Sequence, residues 1–193
     1  MKLNKKGLIF VVSGPSGCGK TTLGKKLIKN FPDVVLSVSV TTRPRRKGEK
    51  SGREYIFVNE KKFVFLKRQN KFLESAKVFG NFYGTLRQTV RKNIKRGKDV
   101  ILLIDIQGAM QIKKKLPHAT FVFINPPSLS VLKERLEKRG LDSAVEAEKR
   151  LNRAREEMAC NKEYDYNVVN DEIEVALEHL KSIIIAERCR AKK

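Results

Sequence analysis

The stretch "LIFVVSGPSGCGKTTLGKKLIKNF", residues 8–31, changes character twice along its length. Residues 8–12 are wholly apolar and rich in branched side chains, as in a strand buried on both faces. A glycine-rich turn follows. Leu23, Leu27, Ile28 and Phe31 then recur at helical spacing until Pro32 and Asp33 end the element. Between strand and helix, Gly14 to Thr21 reads "GPSGCGKT" and matches G-x-x-x-x-G-K-[ST] in the setting that pattern requires. The glycines allow a tight loop whose backbone N–H groups converge on phosphate oxygens, and the helix adds the positive end of its dipole. The candidate triphosphate site is therefore Gly14, Pro15, Ser16, Gly17, Cys18, Gly19, Lys20, Thr21 and Thr22. Lys20 is expected to reach the β- and γ-phosphates, and the Thr21 hydroxyl to ligate Mg²⁺. Cys18 reads as a small side chain filling space, although a helix N-terminus can also lower a thiol pKa.

Working outward, "VILLI" (100–104) and "TFVFI" (120–124) repeat the buried-strand pattern. Each precedes a segment of helical periodicity, near 107–115 and 128–139. This alternation predicts an α/β domain on a central parallel sheet, a three-layer fold of the P-loop NTPase type. Asp105 closes the second strand, at the edge where open parallel sheets bind ligands. It reads either as an acid near Mg²⁺, acting indirectly, or as a cap on the next helix.

Two regions interrupt the alternation. Residues 37–85 hold short strand-like pieces ("SVSVT", "YIFV", "FLESAKVF") and a helix starting near Asn59, which predicts an antiparallel α+β insertion. Residues 126–159 are helical and densely charged, so they are expected to form a lid projecting into solvent. "YNVVN" (166–170) supplies a further strand before a final helix. The expectation is one domain over 1–193, with its core at 1–36, 86–125 and 160–193.

The formal charge of +21 would suit a nucleic-acid binder, but the cations are dispersed and interleaved with acids, as in "LKERLEKRG". Cys18, Cys160 and Cys189 are odd in number and lack zinc or C-x-x-C spacing, which fits a reducing compartment. The apolar run at the N-terminus is too short for a signal peptide, and no stretch approaches a membrane span. A cytoplasmic protein with no specific nucleic-acid or membrane partner is expected, as monomer or homo-oligomer.

The most basic loop carries six cations between Arg43 and Arg53. A nucleic-acid backbone, a membrane surface, a solvated loop or a single phosphate could account for them. Arg43 and Arg46 lie close to the hydroxyl-bearing Tyr55, Tyr83 and Thr85, with one acid, Glu74, inside an apolar strand. Arginine forks and tyrosine hydroxyls suit one phosphate dianion.

With these residues in place the sequence resembles the guanylate kinases, nucleoside monophosphate kinases that act on GMP with ATP. The resemblance runs from about Leu8 to Arg190 through "SGPSGCGKTTL", "SVTTRPRRKGEKSGREY", "FLESAKVFGNFYGT", "IDIQGA", "RLEKRG" and "YNVVND". It implies transfer of the γ-phosphoryl of MgATP to GMP or dGMP. It makes Arg43, Arg46, Tyr55 and Tyr83 the clamp on the GMP phosphate, with Ser39, Glu74, Thr85 and Asp105 around the guanine. Arg139 and Arg150 match the family's lid arginines, which with Lys20 and Arg46 would offset charge during transfer. Arg135 resembles the residue that packs on the adenine, and Asn170 the one that reads its edge. For Glu74 the chemistry agrees independently, because guanine presents adjacent N1–H and 2-amino donors where adenine does not. One departure is Leu103, which stands where the family usually has an acid two residues before Asp105. Any metal or nucleotide contact of that acid is missing, which predicts modulated rather than lost activity. The alternatives are a non-catalytic guanylate-kinase-like binding module, a nucleic-acid-binding P-loop ATPase, and a kinase for another monophosphate.

Overall fold

The structure, a computed structural model, describes residues 6–138 and 144–191. Strand β1 (Ile9–Ser13) leads through the glycine-rich loop into α1 (Lys20–Asn30). This helix buries Leu23 and Leu27, one turn apart, and ends at the extended Phe31 ahead of Pro32. β2 (Val34–Leu36), β3 (Val40–Thr41) and β4 (Ile56–Phe57) follow. Helix α2 (Glu60–Arg68) starts at Asn59, whose side chain accepts from the backbone N–H of Lys62 at 2.8 Å. Next come β5 (Phe72–Val78), β6 (Asn81–Leu86), α3 (Arg87–Lys95), β7 (Asp99–Leu103) and α4 (Ile106–Lys115). Strand β8 (Thr120–Asn125) precedes α5 (Leu129–Lys138) and α6 (Ala144–Ala159). A 3₁₀ turn (Cys160–Glu163), β9 (Tyr166–Val169) and α7 (Ile173–Cys189) complete the described chain.

One sheet has five strands in the order β2-β7-β1-β8-β9, with β2–β7 and β8–β9 parallel. The expected α/β fold on a central parallel sheet is therefore present. The second sheet has four strands in the order β4-β3-β6-β5, which leaves β5 at its edge. Its β3–β6 and β5–β6 pairs are antiparallel, but β3–β4 is parallel. The expectation of an antiparallel insertion is corrected to a mixed sheet, because the long basic loop carries the chain back to enter β4 in the same sense as β3.

Two compact units divide the chain. The first takes the described residues of Met1–Phe10 together with Asp33–Ala119. Phe63 of α2 is its anchor, stacked on Phe72 at 4.6 Å and Phe82 at 5.3 Å between ring centroids, with Val40 in the same cluster. Val100, Ile101 and Leu102 of β7 are also fully buried. The second unit takes Val11–Pro32 together with the described residues of Thr120–Lys193. There Leu132 and Leu136 of α5 pack with Ala154 of α6. Residues 139–143 of the expected lid, Arg139 among them, lie outside the described residues. No described helix is long and apolar enough to cross a membrane.

Strands β2 and β6 and helix α3 go beyond the sequence expectations. β2 has only three residues, too few for a pattern. β6 carries Gly84, which weakens a strand signal, yet a Cβ there would stand 2.8 Å from the Phe72 ring. α3 shows only Val90 and Ile94 as buried apolar residues, one turn apart in a strongly cationic segment.

Candidate functional site

In the second unit the loop before α1 is shaped by close packing. Gly14 has φ 144°, and a Cβ there would run into the carbonyl of Ile124. Gly19 has φ 96°, and a Cβ there would run into the side-chain amide of Asn170. No side chain caps α1 and no acid stands in its first turn, so its leading N–H groups and dipole are left for an anion. The Lys20 ammonium folds over the loop, donating to the carbonyls of Gly14 at 2.5 Å and Pro15 at 2.9 Å. Thr21 and Thr22 are exposed in the first turn. Cys18 is fully buried as a free thiol, the space-filling position expected of it, with Sγ 3.7 Å from the Lys20 ammonium.

Other parts of this unit brace the loop. The buried Asn170 donates from Nδ2 to the carbonyl of Cys18 at 2.7 Å, and from its backbone N–H to Asn125 at 2.8 Å. Arg135 donates to the carbonyls of Asn170 at 2.9 Å and Asp171 at 3.2 Å. Arg150 donates to the Ser16 hydroxyl at 3.0 Å. Cys18, Lys20, Arg135 and Asn170 thus form one bonded group, and Arg150 holds the same loop separately at Ser16. Sequence reasoning assigned Asn170 and Arg135 to the adenine and missed their hold on the main chain.

In the first unit, Arg43 pairs with Glu49 at 2.7 Å, and its guanidinium carbon lies 5.4 Å from the ring centroid of Tyr55 and 5.7 Å from that of Phe57. Glu49 also accepts from the backbone N–H of Arg46 at 2.8 Å. Burial opposes both charges, yet the pairing holds Arg43 above its ordinary pKa and Glu49 below. Tyr55 packs edge-on against Tyr83 at 5.8 Å, and burial, assisted by Tyr83, pushes its phenol pKa up. Arg43, Tyr55 and Tyr83 therefore stand together. The Arg46 side chain is exposed, and its field acts on Tyr55 and Glu49. Glu49 went unnoticed in the sequence, although it is the only acid between Arg43 and Arg53.

Glu74 lies on β5 opposite Thr85 of β6 and is 3 % exposed. Burial pushes its pKa up to about 7, the charge of Asp105 adds to this, and Thr85 and Lys115 oppose it. Thr85 opposes the shift as a hydrogen-bonding neighbour, through its side chain and its backbone, although its buried hydroxyl stands short of full alignment with the carboxyl. Ser39 is buried in the same unit. Asp105 caps α4, accepting from the backbone N–H of Gly108 at 3.0 Å, so the capping role is present at this position. Leu103 ends β7, where the family's first acid would stand. A carboxyl and a hydroxyl buried side by side are costly to leave without well-formed hydrogen bonds.

A glycine loop that opens an uncapped helix, together with a separate arginine–tyrosine cluster, defines a nucleoside-triphosphate-dependent phosphotransferase of the monophosphate kinase class. A family model for guanylate kinase matches residues 6–187. The guanylate kinase of Caldanaerobacter subterraneus subsp. tengcongensis is 46 % identical over 193 residues, covering 100 % of this chain and 94 % of that protein. That of Syntrophomonas wolfei is 50 % identical over 190 residues, covering 98 % and 97 % respectively. The crystal structure of guanylate kinase from Anaplasma phagocytophilum matches with a TM-score of 0.82 at 36 % identity, covering 97 % of this chain and 89 % of that one. The chain belongs to the guanylate kinase family.

Proposed function

We propose that this enzyme transfers the γ-phosphoryl group of MgATP to GMP or dGMP, yielding ADP and the nucleoside diphosphate. The observation that carries the choice of acceptor is Glu74, a buried carboxyl with a raised pKa beside the buried Thr85. Guanine supplies N1–H and 2-amino donors to the carboxylate, and Thr85 and Ser39 complete the base site. Adenine, with an acceptor at its N1 position, leaves the carboxylate unpaired, and such sites discriminate strongly. Arg43, Arg46, Tyr55 and Tyr83 hold the GMP phosphate through charge-assisted hydrogen bonds.

An oxygen of that phosphate attacks the γ-phosphorus, the bond to the bridging oxygen breaks, and ADP departs with the electron pair. A phosphate dianion carries no proton to be removed, so positioning and charge stabilisation suffice. Lys20 and the N–H groups opening α1 hold the triphosphate, and Arg46, Arg139 and Arg150 offset the charge of two assembled anions. Arg135 and Asn170 serve the adenine side. Mg²⁺ fits the donors present, a threonine hydroxyl exposed in the first turn of α1, because Mg²⁺ is commonly held by substrate phosphates, water and one or two side chains. Thr21 would hold it directly and Asp105 through water. When bound it neutralises phosphate charge.

The division into a core, a 37–85 acceptor insertion and a 126–159 lid belongs to the same reading, as does a cytoplasmic location, supported by three free cysteines. Lys20 and Thr21, both present, favour catalysis over a binding module. The test is ADP release from MgATP in the presence of GMP, dGMP, AMP, CMP or UMP. Turnover is expected with GMP and dGMP; equal turnover with AMP would defeat the role given to Glu74.

A further inference from the structure

Strand β5 does not run evenly along β6. Phe72 pairs with Leu86, but Glu74 already pairs with Thr85, so Leu73 is an extra residue and the strand bulges beside Glu74. Bulges re-aim side chains and leave peptide groups without ladder partners. Here the outer edge of β5 is served by side chains of α4. The Lys115 ammonium donates to the carbonyl of Leu73 at 2.6 Å. The Gln111 amide takes both groups of Ser75, donating to its carbonyl at 2.8 Å and accepting from its N–H at 3.2 Å. The peptide groups on either side of Glu74 are thereby fixed to one helix.

Gly108, Gln111 and Lys115 are spaced three and four apart, along a single face of α4. At Gly108 an added Cβ would come within 2.6 Å of Glu74 Oε2 and 3.1 Å of its carboxyl carbon. The same face of the helix therefore admits the carboxylate at one turn and clamps its strand at the next two. Lys115 also acts electrostatically on the Glu74 carboxyl.

We propose that Gly108, Gln111 and Lys115 are positioning residues for base selection, setting where the Glu74 carboxylate stands for a 2-amino-6-oxopurine monophosphate. The inference rests on the reading of Glu74 as the group that meets the base. Its signature is a change in selectivity rather than in folding. The test compares GMP with IMP, which keeps the ring N–H but lacks the 2-amino group, using Lys115→Met, Lys115→Arg, Gln111→Met and Gly108→Ala in the full chain.

Lys115→Met and Gln111→Met are expected to lower kcat/KM for GMP about tenfold, mainly through KM, and to lower that for IMP much less. Lys115→Arg keeps a donor and is expected to restore selectivity. Gly108→Ala is expected to have the largest effect, and should it fail to fold, the other variants decide. Loss of both activities in parallel, with an unchanged GMP-to-IMP ratio, would overturn the proposal. Glu74→Gln in the same assay separates the two failures. A ratio moved by Glu74→Gln but by none of the α4 variants refutes the positioning role alone. A ratio that Glu74→Gln leaves unchanged refutes both.

Discussion

Replacing Glu74 by Gln is expected to make the enzyme more stable at alkaline pH while weakening its reaction with GMP. The buried carboxyl titrates near 7 in the folded chain against 4.5 for an unperturbed glutamate. As pH rises from 4.5 towards 7, the unfolded chain gives up this proton while the folded chain keeps it. The unfolded state then holds fewer protons, so stability falls across that window and the whole penalty is present above it. Its size follows from the difference between the two pKa values and comes to about 3 kcal/mol. Glutamine has the shape of the protonated acid and carries no such penalty. The variant is therefore expected to match the parent near pH 4.5 and to exceed it by about 3 kcal/mol above pH 8. The chain contains no tryptophan, so urea unfolding is best followed by far-ultraviolet circular dichroism at several pH values. In the same variant, two charge-assisted bonds to guanine become one neutral bond and one donor facing a donor. The loss of kcat/KM for GMP is expected to be about 100- to 1000-fold. A variant less stable than the parent at pH 8, or one with unchanged GMP kinetics, would refute the reasoning.

Three other outcomes follow from the same geometry. Because only the carboxylate accepts both guanine donors, KM for GMP is expected to rise on acidification below about pH 7 while KM for ATP holds. A GMP affinity that is flat from pH 8 to 6 would count against this, allowing for the acceptor phosphate's own protonation near about pH 6. Lys20→Ala removes an ammonium whose bonds among the described residues go to the loop carbonyls of Gly14 and Pro15 and to a thiol, so it is expected to abolish transfer with little change in melting temperature; retained turnover would remove the phosphate-loop assignment. Chelation of Mg²⁺ is expected to stop turnover reversibly, and steady activity in excess chelator would exclude a metal at Thr21.

The sequence made the phosphate loop legible because each of its parts is local. Strand, turn and helix adjoin in the chain, and Gly14 and Gly19 take positive φ within the loop itself. The strands β7 and β8 were equally plain, since each is a continuous buried run. What stayed hidden was pairing. The bulge at Leu73 exists only relative to β6, and the parallel β3–β4 contact only once the intervening loop has closed. Glu49 was overlooked because the cations around it suggested a ligand, whereas one carboxylate within the loop already holds Arg43 and Arg46 in order. Asn170 and Arg135 were legible as positions but not as partners, because their bonds reach Cys18, Asn125 and Asp171 through the fold.

The outer edge of β5 carries a further consequence. A strand at the margin of a sheet offers unpaired N–H and C=O groups to any passing strand, and proteins commonly blunt such margins to avoid self-association. Here the amide of Gln111 imitates a neighbouring strand at Ser75, and the Lys115 cation covers the next carbonyl. Substitutions that uncover this margin would expose a template for intermolecular β-pairing, so solubility at high concentration and recognition of the acceptor would decline together.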